Sequence, residues 1–470
     1  MLSRSESRLN LSLACGLLLA VAAPTARGQC QVTETGQCNA TDGAGGDSFG
    51  RAVSISGDVA IIGAPRDADA GFQSGSAYIH RFDGTNWVEE AKLTASDGAA
   101  GDKFGQSVTI SGDVAVVGAP LDNDAAPFSG SAYVFRYNGV DWLEEQKLNA
   151  SDPSPANQLG WSVDVEGNEV LVGAISLVGS GSVYSFRFDG ESWLQEQKLT
   201  PSDGAPEDHF GESVSISGSR ATIGAYLNDG AGLDSGAVYV FHFNGTSWVQ
   251  ETKLVGSDTT AGDEFGRSVS IDGNVAIISA RGDDDNGMDS GSVYVFRFDG
   301  ANWSQPEEAK LTASDGAPAD RFGHSLAIDG NVAIVGAIGV KDNGTGSGAA
   351  YIYSFDVSSW VEDAKLLASN GASSDVFGTS VAMEAGRAII GATGADGVTS
   401  GSGSAYVFDG LPNVCCPWDL SGNMSVDVPD LLGLLAAWGT DPGGPPDFDG
   451  DANVAVPDLL ALLAHWGPCP

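Results

Sequence analysis

Positive charge is scarce in this sequence. Its 470 residues include 22 lysines and arginines against 62 aspartates and glutamates, a formal net charge of −40. Such a surface repels a phosphate backbone, which excludes nucleic acid as a partner. Cysteine is scarce as well. Of six, one (Cys15) lies in an N-terminal apolar stretch, and Cys30, Cys38, Cys415, Cys416 and Cys469 gather at the two ends of the remaining chain. The absence of a CxxC pair excludes a cysteine metal cluster. It leaves terminal disulfides as the role, with one thiol over. No uninterrupted apolar run approaches ~20 residues, so no membrane-spanning helix is expected. The five histidines, His80, His209, His242, His324 and His465, never fall at ligand spacing and read as solvated surface residues.

What is present begins with an export signal. Arg4 and Arg8 precede an apolar run from Leu11 to Ala23, followed by Ala26-Arg27-Gly28. Residues 1–28 are read as a signal peptide cleaved after Gly28, and the chain as secreted or held at the cell surface. A hydrophobic content of 42% excludes a disordered acidic tail.

Self-similarity then decides the architecture. A unit opening on Phe-Gly recurs seven times, at Phe49, Phe104, Leu159 (a degenerate copy), Phe210, Phe265, Phe322 and Phe377. Each unit reads as four strands. Gly-Asp or Gly-Asn turns join the first two, and Asp-Gly or Asn-Gly turns the last two. Trp87, Trp142, Trp193, Trp248, Trp303 and Trp360 open six of the fourth strands. The seventh unit stops after its third strand, while Gly36–Gly50 aligns with Ala91–Gly105. The N-terminal segment therefore supplies the missing strand and closes a ring. The fold class is all-β: a seven-bladed propeller of four-stranded blades over residues 30–410, closed by the N-terminal strand.

Phe-Gly at the start of each unit, with an apolar strand ending Gly63-Ala64-Pro65 or Gly118-Ala119-Pro120, resembles the FG-GAP repeat of integrin alpha-subunit propellers and their bacterial relatives. That family's calcium blades carry a DxDxDG loop between the first two strands. Here the connection is only Ser56-Gly57-Asp58 or Asp272-Gly273-Asn274, so those cages do not carry over. Acidic residues gather instead after the Gly-Ala-Pro strand, and most densely at Asp283, Asp285 and Asp289. They read either as a solvated acidic turn or as a site for a cation that prefers oxygen ligands. Arg281-Gly282-Asp283, an adhesion-receptor ligand in other contexts, aligns with the strand end and acidic loop of the other units. It is read as a variant of that loop. A second acid pair, Asp97 and Asp102 with its equivalents, recurs between units and reads as turn structure, since a catalytic dyad occurs once.

After a linker at 411–418 a different duplication fills 419–470. Asp419, Ser421, Asn423, Ser425 and Asp430 fall at positions 1, 3, 5, 7 and 12 of a twelve-residue loop. Asp447, Asp449, Asp451, Asn453 and Asp458 repeat the spacing. This is EF-hand spacing and predicts Ca²⁺ as cofactor, with Val426 and Val454 joining the two loops. Each loop runs into a helix that starts near Pro429 or Pro457 and carries leucines and a tryptophan at helical spacing. Loop plus single helix, duplicated, resembles a type I dockerin. The resemblance implies docking onto a cohesin-like or other extracellular protein, although Val428-Pro429 and Val456-Pro457 replace the hydroxyl pair many dockerins display. Against this, the Leu/Trp faces can simply pack on each other. Cys416 and Cys469 flank the module and can clasp its ends.

No catalytic constellation emerges. Gly-x-Ser sequences are the normal start of the repeat and have no matching histidine. The reading is a non-enzymatic exported propeller that binds a glycan or protein ligand on its loops and is tethered through a calcium-dependent module. A docked enzyme acting on extracellular polysaccharide is the alternative, since a glycosidase needs only two carboxylates. A purely structural calcium-stabilised surface protein is third.

Overall fold

A computed structural model describes residues 32–355 and 358–411 and, in the C-terminal part, 425–426, 428–436, 438, 454–464 and 467–468. Residues 1–28, Cys30, Cys415, Cys416 and Cys469 lie outside the described residues, as does most of the 411–418 linker.

Blade one shows how the repeat folds. β1 (Thr33–Cys38) precedes it, and β2 (Val53–Ser56), β3 (Val59–Ala64), β4 (Ser76–Phe82) and β5 (Trp87–Leu93) form one antiparallel sheet in that order. Gly57, at the first central position of the β2–β3 turn, has φ 57°, the left-handed geometry that a two-residue hairpin needs there. β3, Val-Ala-Ile-Ile-Gly-Ala, is buried at every residue because neighbouring blades cover both of its faces. β5 is the outer strand: Trp87 and Leu93 are buried and Val88 is exposed.

Six further sheets follow this pattern. The seventh, formed by Phe377–Glu384, Arg387–Ala392 and Ser404–Asp409, takes β1 as its fourth strand. The strand exchange read from the sequence is therefore the closure of the ring. It also corrects one expectation. Cys38, a disulfide candidate, is a free thiol buried against Phe49, Tyr78 and Val407. The strand that completes the last blade must present this side chain to the core.

The Phe-Gly and Gly-Ala landmarks are where blades touch. Phe104 bridges to Gly75 of the preceding blade and packs edge-on against Tyr133 at 5.4 Å and Phe135 at 6.0 Å. A Cβ on Gly63 would stand 2.1 Å from Gly105 O, and one on Gly105, at φ 88°, would stand 2.2 Å from Ser76 O. Backbone meets backbone here, which only glycine permits. The serine after Phe-Gly-x locks the contact. Ser107 Oγ donates to Gly160 O at 2.9 Å, Ser325 Oγ to Gly378 O at 2.8 Å, and Ser380 Oγ to Gly50 O at 2.8 Å across the ring closure. These hydroxyls are interblade locks, which accounts for their repetition.

Blade five departs from the sequence reading. Its extra residues reduce the fourth strand to Ala309–Leu311, and Trp303 makes only an isolated bridge to Phe298. The other five tryptophans open their strands as expected.

The C-terminal part is a separate unit. It contains α1 (Val428–Ala436) and α2 (Val456–Ala464), with Leu434, Val454 and Leu462 fully buried. Val426 pairs with Gly467 and not with Val454. No helix among the described residues is long and apolar enough to cross a membrane.

Candidate functional site

Two sets of acidic and basic side chains separate in the structure, one repeated and one unique. The repeated set is built around the lysine of each fourth strand. Lys92 on β5 donates to Asp42 at 2.6 Å, to Asp67 at 2.8 Å and to Asp69. The Tyr78 hydroxyl lies 2.8 Å from Asp42 and 2.7 Å from Asp67 and can donate its one proton to either. Blade two repeats this with Lys147, Asp97, Asp122 and Asp124, and blade five with Lys310, Asp258, Asp283 and Asp285. Burial alone would raise the carboxyl pKa values of Asp42, Asp97 and Asp258. Hydrogen bonds from lysine and tyrosine, and the lysine charge, hold them below the usual range.

This arrangement bears on the acidic loop read as a cation site. Asp283 Oδ2 lies 2.8 Å and Asp285 Oδ2 2.7 Å from Lys310 Nζ, while Asp289 makes no ion pair with that lysine. Asp42, Asp67 and Asp69 are close enough together to share a metal, yet Lys92 already sits among them. The positive charge these loops are built around is the protein's own ammonium group. Arg-Gly-Asp is equally internal. Arg281 Nε donates to Glu264 at 2.5 Å, and the Asp283 carboxylate is buried, accepting from Ser292 and Tyr294.

Asp102, the other repeated acid, accepts from Ala99 N at 2.7 Å. The same bond recurs at Asp47, Asp208, Asp263, Asp320 and Asp375, so the turn role holds. The surface reading of the histidines needs correction at His80. It is 2% exposed and takes the place that Phe135 occupies in blade two, with its ring 5.9 Å from Phe49. Burial lowers its pKa to about 4, so it is neutral near pH 7.

The unique set lies about the axis. First strands of successive blades contact each other around the ring and line a central bore. Three positions per blade face the mouth or the bore, and they differ where nearly everything else repeats. After Phe-Gly come Arg51, Gln106, Trp161, Glu212, Arg267, His324 and Thr379, all lining the bore. Before the Phe come Ser48, Lys103, Gln158, His209, Glu264, Arg321 and Val376. All seven hold φ between 52° and 60°, which is costly for a β-branched valine. After Gly-Ala come Pro65, Pro120, Ile175, Tyr226, Arg281, Ile338 and Thr393. A cavity of about 420 Å³ opens between blades one, two, six and seven, with Arg51, Arg66, Lys103, Gln106, His324 and Thr379 among its walls.

Charge is divided unevenly around this mouth. On blades four and five Arg267 pairs with Glu212 at 2.9 Å and Arg281 with Glu264 at 2.5 Å. Tyr226 stacks there too, under Arg267 at 4.3 Å and edge-on to His209 at 5.5 Å. Arg51, Arg66 and Lys103 on the other side make no ion pair among the described residues. Burial lowers the pKa of Lys103, and Arg66 and Arg51 lower it further. Burial and then the cations Arg281, Arg51, Arg267 and Arg321 push His324 down to about 3, and its buried Nδ1 has no hydrogen-bond partner among the described residues.

The axial residues do not stand out as a set in the sequence, because each lies in a different repeat and none shares a local motif. Their signal was available: the positions flanking each Phe-Gly vary inside an otherwise constant frame. Asp419, Ser421, Asn423, Asp447, Asp449, Asp451 and Asn453 lie outside the described residues. Ser425 falls in the short strand Ser425–Val426, Asp430 in α1 and Asp458 in α2.

No curated protein matches the chain significantly. The FG-GAP repeat family model matches seven times, at residues 32–80, 87–135, 142–186, 193–241, 248–296, 303–353 and 360–408. Each match ends on the third strand of a blade and, from the second onward, begins at the tryptophan of the preceding blade's fourth strand position. Seven repeats closed into a seven-bladed propeller place the chain in the FG-GAP repeat family.

Proposed function

We propose that this chain is an exported, non-enzymatic binding propeller that takes its ligand at the axial mouth and is tethered by its C-terminal module. An FG-GAP propeller is a fold consistent with binding or adhesion. The observation that carries the reading is the contrast between repeated and unique positions. Asp, Tyr and Lys recur from blade to blade because they hold each blade together, whereas the axial positions differ and so compose one asymmetric surface. Large apolar side chains on the same end of the propeller support a glycan or protein ligand. Phe72 and Val178 are each 76% exposed, and Leu233 and Met288 nearly as much, all on the loops between second and third strands. Aromatic and aliphatic anchors of this kind suit recognition of an extended partner.

The tether reading rests on the duplicated ligand spacing from Asp419 to Asp430 and from Asp447 to Asp458. Oxygen ligands in that order suit Ca²⁺, and a short duplicated unit with a small core couples metal binding to folding. A cohesin-like or other extracellular protein is the proposed docking partner, with Cys416 and Cys469 closing the module. Glycan and protein arrays probed with the full chain, beside a reducing-sugar release assay, test the reading. Binding without sugar release is expected. Release lost on substituting axial or loop carboxylates would overturn it in favour of a polysaccharide-degrading enzyme.

A further inference from the structure

We infer that the axial cavity between blades one, two, six and seven binds a compact ligand bearing an oxyanion, either a small free anion or the acidic end of a glycan. The inference rests on the axial reading above and adds the ligand's chemistry.

The use of basic residues points to it. Nineteen lysines and arginines fall among the described residues, since Arg4, Arg8 and Arg27 lie outside them. Six lysines on fourth strands and six arginines (Arg81, Arg136, Arg187, Arg220, Arg297 and Arg387) are held in ion pairs with blade carboxylates. Arg267 and Arg281 pair with glutamates at the mouth. Five remain without an ion pair: Arg51, Arg66, Lys103, Arg321 and Lys341. In a chain of net charge −40, three of these five line one cavity.

Arg51 and Lys103 are half-buried and Arg66 is exposed beside them, and the charge of Glu212 offsets only part of that of Arg51. Like charges gathered without an ion pair repel one another, and an anion between them removes that cost while satisfying their donors. Arg51 offers a planar fork and Lys103 a point charge, the usual complement for carboxylate, sulfate or phosphate. Neutral groups complete the shell. Gln106, Ser48 and Thr379 can donate, and the neutral His324 ring forms part of the wall. Pro65, Ile338 and Val376 supply apolar wall. A volume of about 420 Å³ lies in the range of small-molecule sites. The side of the ring closed by Glu212 and Glu264 is already neutral, which fixes the anion to the opposite side.

Calorimetry of the full chain at constant ionic strength tests this with sodium sulfate, sodium phosphate, glucuronate and galacturonate, and with glucose as the neutral control. At least one oxyanion should bind at one site, and glucose should not. Inorganic anions binding alone identify a free-anion site, and a uronate binding more tightly identifies a glycan end. Arg51→Gln and Lys103→Gln should each weaken binding by about tenfold, the scale of one charged hydrogen bond. Arg51→Lys should keep most of it, and Arg136→Gln, on the third strand of blade two and paired with Glu145, should change nothing. Absence of saturable heat with every anion, or affinity indifferent to Arg51→Gln and Lys103→Gln in variants with native melting, would overturn the inference. Array binding that falls on axial substitution but is not displaced by any oxyanion would also overturn it, while leaving the axial site standing.

Discussion

Lys310 Nζ lies 2.8 Å from Oδ2 of Asp283, a carboxylate that is itself buried. This contact joins the fourth strand of blade five to the loop after its second strand, and it recurs in blades one and two through Lys92 and Lys147. Blade seven, completed by β1, changes both partners to neutral ones. Gln37 stands in the lysine register opposite Tyr406, Ala395 takes the place of Asp283, and Asn370, in the place of Asp258, accepts the Tyr406 hydroxyl at 2.8 Å.

The repeated lysine should therefore be a stability element. Lys147→Met strands Asp97, Asp122 and Asp124 against one another, and should cost about 2 kcal/mol in chemical denaturation. Added Ca²⁺ should restore little. Asp97 and Asp122 have native pKa values below their usual 3.8. Their contribution is thus complete above that value and lost as pH falls through the native pKa values, so the Lys147→Met deficit should shrink below about pH 4.

His80 should make the wild type sensitive to mild acid. Its folded pKa, about 4, lies below the ordinary 6.5, so stability falls as pH drops from 6.5 toward 4. Other blades carry phenylalanine or tyrosine at this place. His80→Phe should raise the melting temperature at pH 5 by more than at pH 7.5. An equal shift at both values would show that the imidazole is not buried neutral.

Burial pushes the Cys38 thiol up to about 12, so little thiolate forms at neutral pH. Its peptide should resist iodoacetamide in the native protein and react once denaturant opens the ring. Rapid native labelling would place β1 outside the last blade.

Calcium should act on the C-terminal module and leave the propeller almost unchanged. Titration of the full chain should show binding that Asp447→Ala with Asp458→Ala reduces sharply. Chelator should shift a small transition and spare the main one. Loss of the main transition in chelator would mean that the blade loops, and not only residues 419–470, hold the ion.

Much of this architecture was legible in the sequence for a physical reason: repetition forces the same contacts in each blade. Phe104, Gly105 and Gly63 announce a blade contact because only those residues fit it, and the incomplete seventh unit announces the role of Thr33–Cys38. The partner of the acidic loops was not legible. Lys310 is 25 residues or more from Asp283 and Asp285 in the chain, and only blade geometry brings them together. His80 escaped for a related reason, since a polar residue at a core position looks like a surface one until its neighbours are placed. The axial site was hidden most deeply, because Arg51, Lys103 and His324 come from three blades and no local spacing links them.

Array binding of the wild-type chain beside the Arg51→Gln, Lys103→Gln double variant tests the central claim most directly. The axial reading predicts that ligands captured by the wild type are lost by the double variant while its melting temperature and secondary structure stay native. Undiminished capture by a natively folded double variant would contradict it and move the binding surface away from the axis.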